Sequence, residues 1–314
     1  DRSGLLAALC WQAVPLLAVG LAAAAPGAIG AAHLVIAALT TGVLGGAAFS
    51  LTQRHTSFAT TVVTLAVVAG SVAAVRMFGQ VSTQRLGMAV LVGVLVLVTL
   101  APTIALWFAR IRPPHFGSIT GRDLFRRGDG MPVDAVAPVA DDTDDEPNPD
   151  TTPAGQVIAN AARRANGVLT GICIAAAIVL PVAVWATLTP GQPHGTAAAV
   201  LAALFVVVFI SRARAFTDWH QAVALVCGAA AAVCFGVVRY VVAGPATSST
   251  ALVAGSLVLI AFAAAGLAAA LLVPVTKFTP LVRMAAEWVE LAAIVAALPL
   301  AAWIGGLFTW VRMR

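Results

Sequence analysis

Residues 86–109 read LGMAVLVGVLVLVTLAPTIALWFA, a run of 24 residues without a charged side chain. An α-helix of this length, rising 1.5 Å per residue, crosses the roughly 30 Å hydrocarbon core of a bilayer. The apolar residues are continuous and do not alternate with polar ones, which favours a membrane-spanning helix over a barrel strand. The run therefore predicts an integral membrane protein.

Runs of the same kind recur along the chain. Of its 314 residues, 61% are hydrophobic and 10% are charged, with a mean hydropathy of +0.97. A soluble domain carries about 25% charged residues. We predict an all-α polytopic transmembrane helical bundle of about nine spans, at residues 5–25, 30–51, 57–78, 86–109, 167–188, 196–211, 219–242, 250–273 and 285–311.

A polar segment, residues 110–166, separates four spans in residues 1–109 from five in residues 167–314. Its second half contains DDTDDEPNPD at 141–150, an acidic, proline-containing stretch that predicts a flexible loop. Residues 156–166 have the pattern of a short amphipathic helix lying at the membrane interface. The sequence thus predicts two transmembrane bundles joined by a long loop.

The basic residues predict the orientation of the bundle. Of the 18 lysines and arginines, 13 fall on the side that holds the N-terminus and the long loop. Cytoplasmic loops carry the excess of such residues. We therefore expect the N-terminus and the long loop to be cytoplasmic and the C-terminus to lie on the opposite side of the membrane. The basic residues are not interleaved with aromatic residues in a patch, so we predict no nucleic-acid partner.

Chemistry-bearing residues are sparse within the spans. No carboxylate, lysine or arginine falls in the middle of a predicted span, where ion-coupled transporters usually keep one. Asp218 and His220 stand together at the start of a span, and a helix-capping aspartate explains them better than a catalytic pair without a nucleophile. The four cysteines have no histidine or carboxylate nearby in sequence. We predict no enzyme activity, no cofactor and no metal site.

Two acids and two glycines are candidate contact residues. Glu287 and Glu290 open the last span, and either could be a proton-relay acid or bind a partner helix. Alternatively, Glu287 pairs with Arg283 one turn away and both acids favour the helix N-terminus. Gly42 and Gly46 have the Gly-xxx-Gly spacing that lets helices approach closely in lipid.

Three stretches resemble a known family. The stretches similar to EccD are residues 110–127 (RIRPPHFGSITGRDLFRR), residues 165–171 (ANGVLTG) and residues 287–303 (EWVELAAIVAALPLAAW). EccD is the multi-spanning membrane component of the mycobacterial type VII (ESX) secretion system. The amino-acid sequence of the loop favours the paralogue of the third ESX system. Compared with that family, an N-terminal ubiquitin-like domain and the first two of eleven spans are missing here.

The resemblance implies a scaffold function. EccD dimerises around a lipid-lined vestibule and docks the other core components EccB, EccC and EccE, so the implied partners are a second copy, those components and membrane lipids. Carried onto this loop, Arg122, Asp123, Arg126 and Arg127 become candidate partner contacts; anchoring of the loop to the membrane surface explains them equally well. The alternative function is a permease or transporter of a small or lipid-linked substrate.

Overall fold

The computed structural model describes residues 2–52, 55–109, 151–190, 194–243, 249–272, 280–306 and 308. These residues form nine α-helices and no strand. The helices are α1 (Arg2–Ala24), α2 (Ala31–Thr52), α3 (Thr56–Phe78), α4 (Thr83–Phe108), α5 (Thr151–Thr187), α6 (Gly195–Ala213), α7 (Trp219–Ala243), α8 (Ser249–Leu272) and α9 (Pro280–Ile304).

The all-α prediction is confirmed for the described residues. Eight of the helices are long and apolar enough to cross a membrane, and the apolar part of α1, Ala8–Ala24, is shorter. Large apolar side chains lie exposed on the outer faces, among them Leu16, Val43, Ile260 and Leu267. Such surfaces suit a hydrocarbon environment, because lipid tails are as apolar as these side chains.

Two helices differ from the sequence prediction. Residues 156–166, expected as a separate helix at the interface, continue without a break into the fifth span as the 37-residue α5. The residues around the junction are mostly good helix formers, and a single Gly167 does not end a helix. The last helix ends at Ile304 and not at 311, because Gly306 adopts a left-handed φ of 78° just after it.

The helices before and after the polar segment share one compact unit, residues 1–101 and 167–314. Its core is built from α4, α5, α6, α7 and α9, with fully buried Leu91, Ile172, Leu180, Phe205 and Phe209 at the centre. The α1, α2 and α3 helices pack side by side in chain order. The described residues 102–109 and 151–166 belong to a second unit. The acidic stretch predicted at 141–150 lies outside the described residues.

Chain order and spatial order differ at the end of the molecule. The α6 helix packs against both α7 and α9, whereas α8 packs against α7 and has no buried residue in the part that is described. The spatial order of these helices is therefore α8, α7, α6, α9. Consecutive helices α8 and α9 thus pack mainly against different helices.

Candidate functional site

The polar contacts between helices cluster at two sets of helix ends. Antiparallel packing brings together the C-terminal ends of α4 and α6 with the N-terminal ends of α3, α7 and α9; we call this the Arg212 end. The opposite set, at the start of α4 and the end of α7, is the Arg239 end. The Arg212 end holds most of the polar side chains that join one helix to another, and it is the candidate functional site.

Arg212 joins three helices at this end. Its Nε lies 3.0 Å from Oε1 of Glu290 in α9, and its Nη2 donates a hydrogen bond of 3.3 Å to Oγ1 of Thr99 in α4. The Arg212 and Glu290 side chains are 27% and 18% exposed. We call Thr99, Arg212 and Glu290 the three-helix cluster. Partial burial strengthens the attraction of the two charges, because they are less screened than a surface pair.

The contact between Arg212 and Glu290 is electrostatic more than it is a hydrogen bond. Although the two atoms are 3.0 Å apart, the N–H of Nε is not aligned with the carboxylate oxygen and makes no hydrogen bond of good geometry. The directed hydrogen bond of the guanidinium goes to Thr99 instead. The charge pair thus fixes the distance between α6 and α9, while Thr99 fixes the guanidinium against α4.

A second set of contacts, the polar seam, joins α3, α5 and α7. The buried Gln221 donates a 3.0 Å hydrogen bond through Nε2 to Oγ1 of Thr170. The Thr61 hydroxyl donates to the carbonyl of Ser57 in its own helix at 2.8 Å and lies 3.1 Å from the carbonyl of Gly171. Each polar group buried in lipid needs such a partner, and side-chain bonds across helices supply it. The polar seam ties helices from both sides of the long polar segment together.

Glycines allow the close approach on which the polar seam depends. A methyl group on Gly171 would lie 2.5 Å from the Ser57 carbonyl oxygen, and one on Gly228 would lie 2.6 Å from Cα of Ala177. At the Arg239 end, a methyl group on Gly87 would lie 2.6 Å from Oγ1 of Thr187. At these three positions the backbones of neighbouring helices approach one another closely.

Asp218 begins α7. Its Oδ1 accepts hydrogen bonds from the backbone N–H of His220 at 3.0 Å and from the His220 ring Nδ1 at 2.9 Å. This is the geometry of a helix N-cap. The His220 side chain is 60% exposed, and Trp219 lies beside it with ring centroids 3.9 Å apart. The capping interpretation of the sequence therefore accounts for the aspartate, and Trp219 is an exposed aromatic ring at a helix end.

The predicted contact residues fall in different places. Glu287 is exposed on α9, and Glu290 belongs to the three-helix cluster. The Arg283 side chain lies outside the described residues, so its pairing with Glu287 stays a prediction. The loop candidates lie outside the described residues as well: Arg122, Asp123, Arg126 and Arg127.

The two candidate packing glycines of α2 differ in their surroundings. A methyl group on Gly42 would meet Cβ of Ala66 in α3 at 3.9 Å, whereas one on Gly46 would meet no atom within 4 Å. Within this chain the tighter position is the buried Gly45, whose added methyl would lie 3.5 Å from Val63. A role for Gly46 in packing is therefore a prediction about a neighbour outside this chain.

Sequence reasoning missed Arg212, Gln221, Thr170 and Gly171 as contact residues. Gly167 and Gly171 have the same Gly-xxx-Gly spacing that pointed to Gly42 and Gly46, and both approach α3 closely. That signal was present in the sequence. The partner of Arg212 was not predictable, because pairing an arginine in one span with a glutamate 78 positions later requires knowing that α6 and α9 are neighbours.

Chemically, the Arg212 end can hold helices together and leaves an exposed surface that another protein can contact. Within the described residues, Arg212 and Gln221 bond to side chains of other helices, and Asp218 caps a helix. This arrangement suits assembly.

Comparison with known proteins relates this architecture to a family. Residues 1–313 match the family model described as "EccD-like transmembrane domain". The chain is 51% identical over 318 residues to the "ESX-2 secretion system protein eccD2" of Mycobacterium tuberculosis (strain CDC 1551 / Oshkosh), covering 99% of this chain and 62% of that protein. It is 29% identical over 311 residues to the "ESX-5 secretion system protein EccD5" of strain H37Rv, covering 96% of this chain and 59% of that protein.

Solved structures share the fold. The structure of protomer 1 of the ESX-3 core complex matches with a TM-score of 0.72 at 16% identity, over 97% of this chain and 63% of that chain. The ESX-5 inner membrane complex without MycP5, in its state II, matches with a TM-score of 0.64 at 22% identity, over 83% of this chain and 55% of that one. This chain thus spans about three fifths of the length of these relatives. The identities do not support the expected paralogue of the third ESX system, because the high sequence identity lies with an ESX-2 protein.

Proposed function

The chain belongs to the EccD family, and from this membership we propose that it is a non-enzymatic membrane scaffold of a type VII (ESX) secretion complex. The observation that carries the proposal is the match of residues 1–313 to the transmembrane domain of the family. The internal contacts agree with a structural role. Arg212 and Gln221 join helices to one another, so side-chain contacts stabilise the bundle to which other components would bind.

The proposed partners are a second copy of the chain, around a lipid-lined vestibule, and the components EccB, EccC and EccE. The relatives carry the names of secretion-system proteins, and the matching structures are complexes, which supports assembly with other chains. For the loop, we propose that Arg122, Asp123, Arg126 and Arg127 contact these partners on the cytoplasmic side. Glu287, exposed on α9, is a further candidate contact.

The ESX system is proposed to be of the ESX-2 type, on the strength of the 51% identity. The location is proposed to be the bacterial inner membrane, with the N-terminus of this chain and the loop cytoplasmic and its C-terminus periplasmic. We also propose that the parts contacted by partners are two transmembrane bundles and the loop between them. The bundles are residues 1–109 and 167–314, and the loop is residues 110–166.

The scaffold function is tested by affinity purification of the full-length protein in mild detergent from cells expressing its whole secretion locus. We expect EccB, EccC and EccE to co-purify at fixed ratios with at least two copies of this protein. Recovery of a lone monomer in several mild detergents would refute the scaffold. The permease alternative would gain support if that monomer, reconstituted in vesicles, moved a small or lipid-linked substrate.

The loop contacts are tested separately, by replacing Arg126 and Arg127 with glutamate. We expect the variant to insert normally and to lose partner components, because reversal of two charges turns attraction to an acidic partner into repulsion. The control is the charge reversal Arg85→Glu, in the first turn of α4 at the opposite helix ends. Equal recovery of partners from the loop variant and the wild type would refute the contact role.

A further inference from the structure

The outer face of α9 carries a regular stripe of large apolar side chains. Six of them are between 44% and 74% exposed: Leu281, Met284, Trp288, Leu291, Val295 and Leu298. Their spacing alternates between three and four residues, which is the a and d pattern of a heptad repeat. We call these six residues the α9 stripe. A regular 3.5-residue repeat keeps one seam facing a partner helix along its full length.

The other face of α9 is already occupied. Ala293, Ala297, Ala301 and Ile304 are buried against the core, and Glu290 turns toward Arg212 on α6. In the heptad Glu290, Ala297 and Ile304 fall at position c and Ala293 at f, on the side away from the α9 stripe, and Ala301 falls at g. The helix is therefore two-sided, with small residues packed inward and large residues presented outward.

We propose that the α9 stripe is the self-association surface of the protein, and that α9 of a second copy covers it in a parallel, left-handed pair. This inference rests on the proposed assembly with a second copy and names its surface. Two copies inserted in the same direction about an axis normal to the membrane bring equivalent helices together in parallel. An a and d seam is self-complementary in that arrangement, so each stripe is the natural partner of its own copy.

The charges near the α9 stripe fit a second copy. The stripe itself contains no charged residue, and the exposed Glu287 occupies position g, beside it. In a parallel pair, position g faces position e of the next heptad on the partner helix, which is Ala292. No acid therefore meets an acid across the pair. Glu290, at position c, is held by Arg212 and does not reach the seam.

The size of the α9 stripe is also suitable. Six side chains of this size, exposed by about half or more, offer roughly 700 Å² per copy, close to the ~800 Å² per partner of a specific interface. In lipid the gain comes from packing and not from expulsion of water, so regular interdigitation along the seam matters more than area. A heptad of large side chains provides that interdigitation.

The inference is tested by cysteine crosslinking in the membrane, using the full-length protein in its secretion complex. The four cysteines of this chain, Cys10, Cys173, Cys227 and Cys234, and any others in the full-length protein are first replaced by alanine, and this parent must still assemble. Single cysteines are then placed at Leu291 and Val295 in the α9 stripe. The matched control is Val289→Cys, which is 54% exposed on the same helix at position b, outside the seam.

We expect oxidation to give homodimer bands for Leu291→Cys and Val295→Cys and none for Val289→Cys. Equal crosslinking at Val289, or crosslinks from Leu291 and Val295 to a different component, would overturn the inference. So would the absence of crosslinks in a complex that demonstrably contains two copies. A complex with a single copy would instead contradict the proposed assembly, so the two failures are distinguishable.

A second measurement avoids dependence on introduced thiols. The double variant Leu291→Ala and Leu298→Ala removes two d positions, and native mass spectrometry of the complex reports the fraction that retains two copies. We expect that fraction to fall strongly compared with the control Val282→Ala and Val289→Ala, which removes two exposed valines at position b. An equal effect of both pairs would show that the α9 stripe has no special role.

Discussion

At the scale of single residues, Arg212 makes the contact on which the Arg212 end depends. Its guanidinium is shared between a carboxylate on α9 and a hydroxyl on α4, so one side chain sets the spacing of three helices. Arginine suits this position because it presents several donors in a rigid, planar fork, whereas lysine offers one compact charge. The sequence shows an arginine at the end of a span, which reads equally well as a topology signal.

The coupling between Arg212 and Glu290 is measurable by a charge-swap cycle. We expect Arg212→Glu and Glu290→Arg each to lower the stability of the purified protein by about 1–3 kcal/mol, between the values for exposed and fully buried pairs. The double variant should recover part of the loss. Recovery should be incomplete, because a glutamate at 212 cannot donate a hydrogen bond to Thr99.

Thermal unfolding in detergent, followed by circular dichroism, gives the three stabilities. The matched control is Arg214→Glu, an exposed arginine two positions away, which should change little. Strictly additive effects of the two single changes would show that Arg212 and Glu290 do not interact, contrary to the geometry.

The crossing glycines provide a second test at the residue scale. Gly171→Ala adds a methyl group 2.5 Å from the Ser57 carbonyl oxygen, so α3 and α5 must move apart. We expect a loss of about 1–3 kcal/mol, the usual cost of overpacking a core. Gly93→Ala is the matched control, because a methyl group there meets no atom within 4 Å. The control should be neutral or stabilising by up to about 1 kcal/mol, since alanine is the better helix former. A fall in melting temperature for both variants, or for neither, would contradict the contact.

At the scale of elements, the helices themselves were predictable and their contacts were not. The predicted span 57–78 corresponds to α3, Thr56–Phe78, and 219–242 to α7, Trp219–Ala243. Each span is a local property of the chain, because lipid requires a continuous apolar helix whatever lies beside it. The direction in which a helix packs is not local. A helix that is apolar all round, such as α8, carries no polar face to indicate which side meets protein and which meets lipid.

The start of α7 gives a prediction for one element. Asp218→Ala removes the side chain that accepts the N–H of His220, and we expect the first turn to fray at a cost of about 1 kcal/mol. Asp218→Asn keeps an oxygen in place and should retain most of the cap. Hydrogen exchange at the amides of His220 and Gln221 reports the effect directly. Faster exchange for alanine than for asparagine is expected, and equal exchange in both would mean that the aspartate does not cap this helix.

At the scale of the whole molecule, the fold class follows from composition, but the arrangement of helices does not. Alternation of apolar runs and short loops predicts antiparallel neighbours along the chain, and α1, α2 and α3 follow that rule. The last helices do not, since α9 packs on α6 and α8 packs on α7. Buried phenylalanines on α6, Phe205 and Phe209, make it the central helix of this group. Their burial could not be read from the sequence, because equally apolar residues on α8 remain exposed.

The distribution of arginines between the two ends of the bundle predicts its orientation in the membrane. If the arginine-rich side is cytoplasmic, the connection between α6 and α7 faces the cytoplasm and the connection between α3 and α4 faces the periplasm. In a cysteine-free parent, Thr217→Cys and Ser82→Cys place one exposed thiol in each connection. A maleimide that crosses the outer envelope but not the inner membrane should label Ser82→Cys in intact cells, and should label Thr217→Cys only after the inner membrane is opened. The reverse pattern would invert the molecule and place the Arg212 end in the periplasm. The arginine-rich loop would then lie out of reach of cytoplasmic partners, and the docking function proposed for it would have to be abandoned.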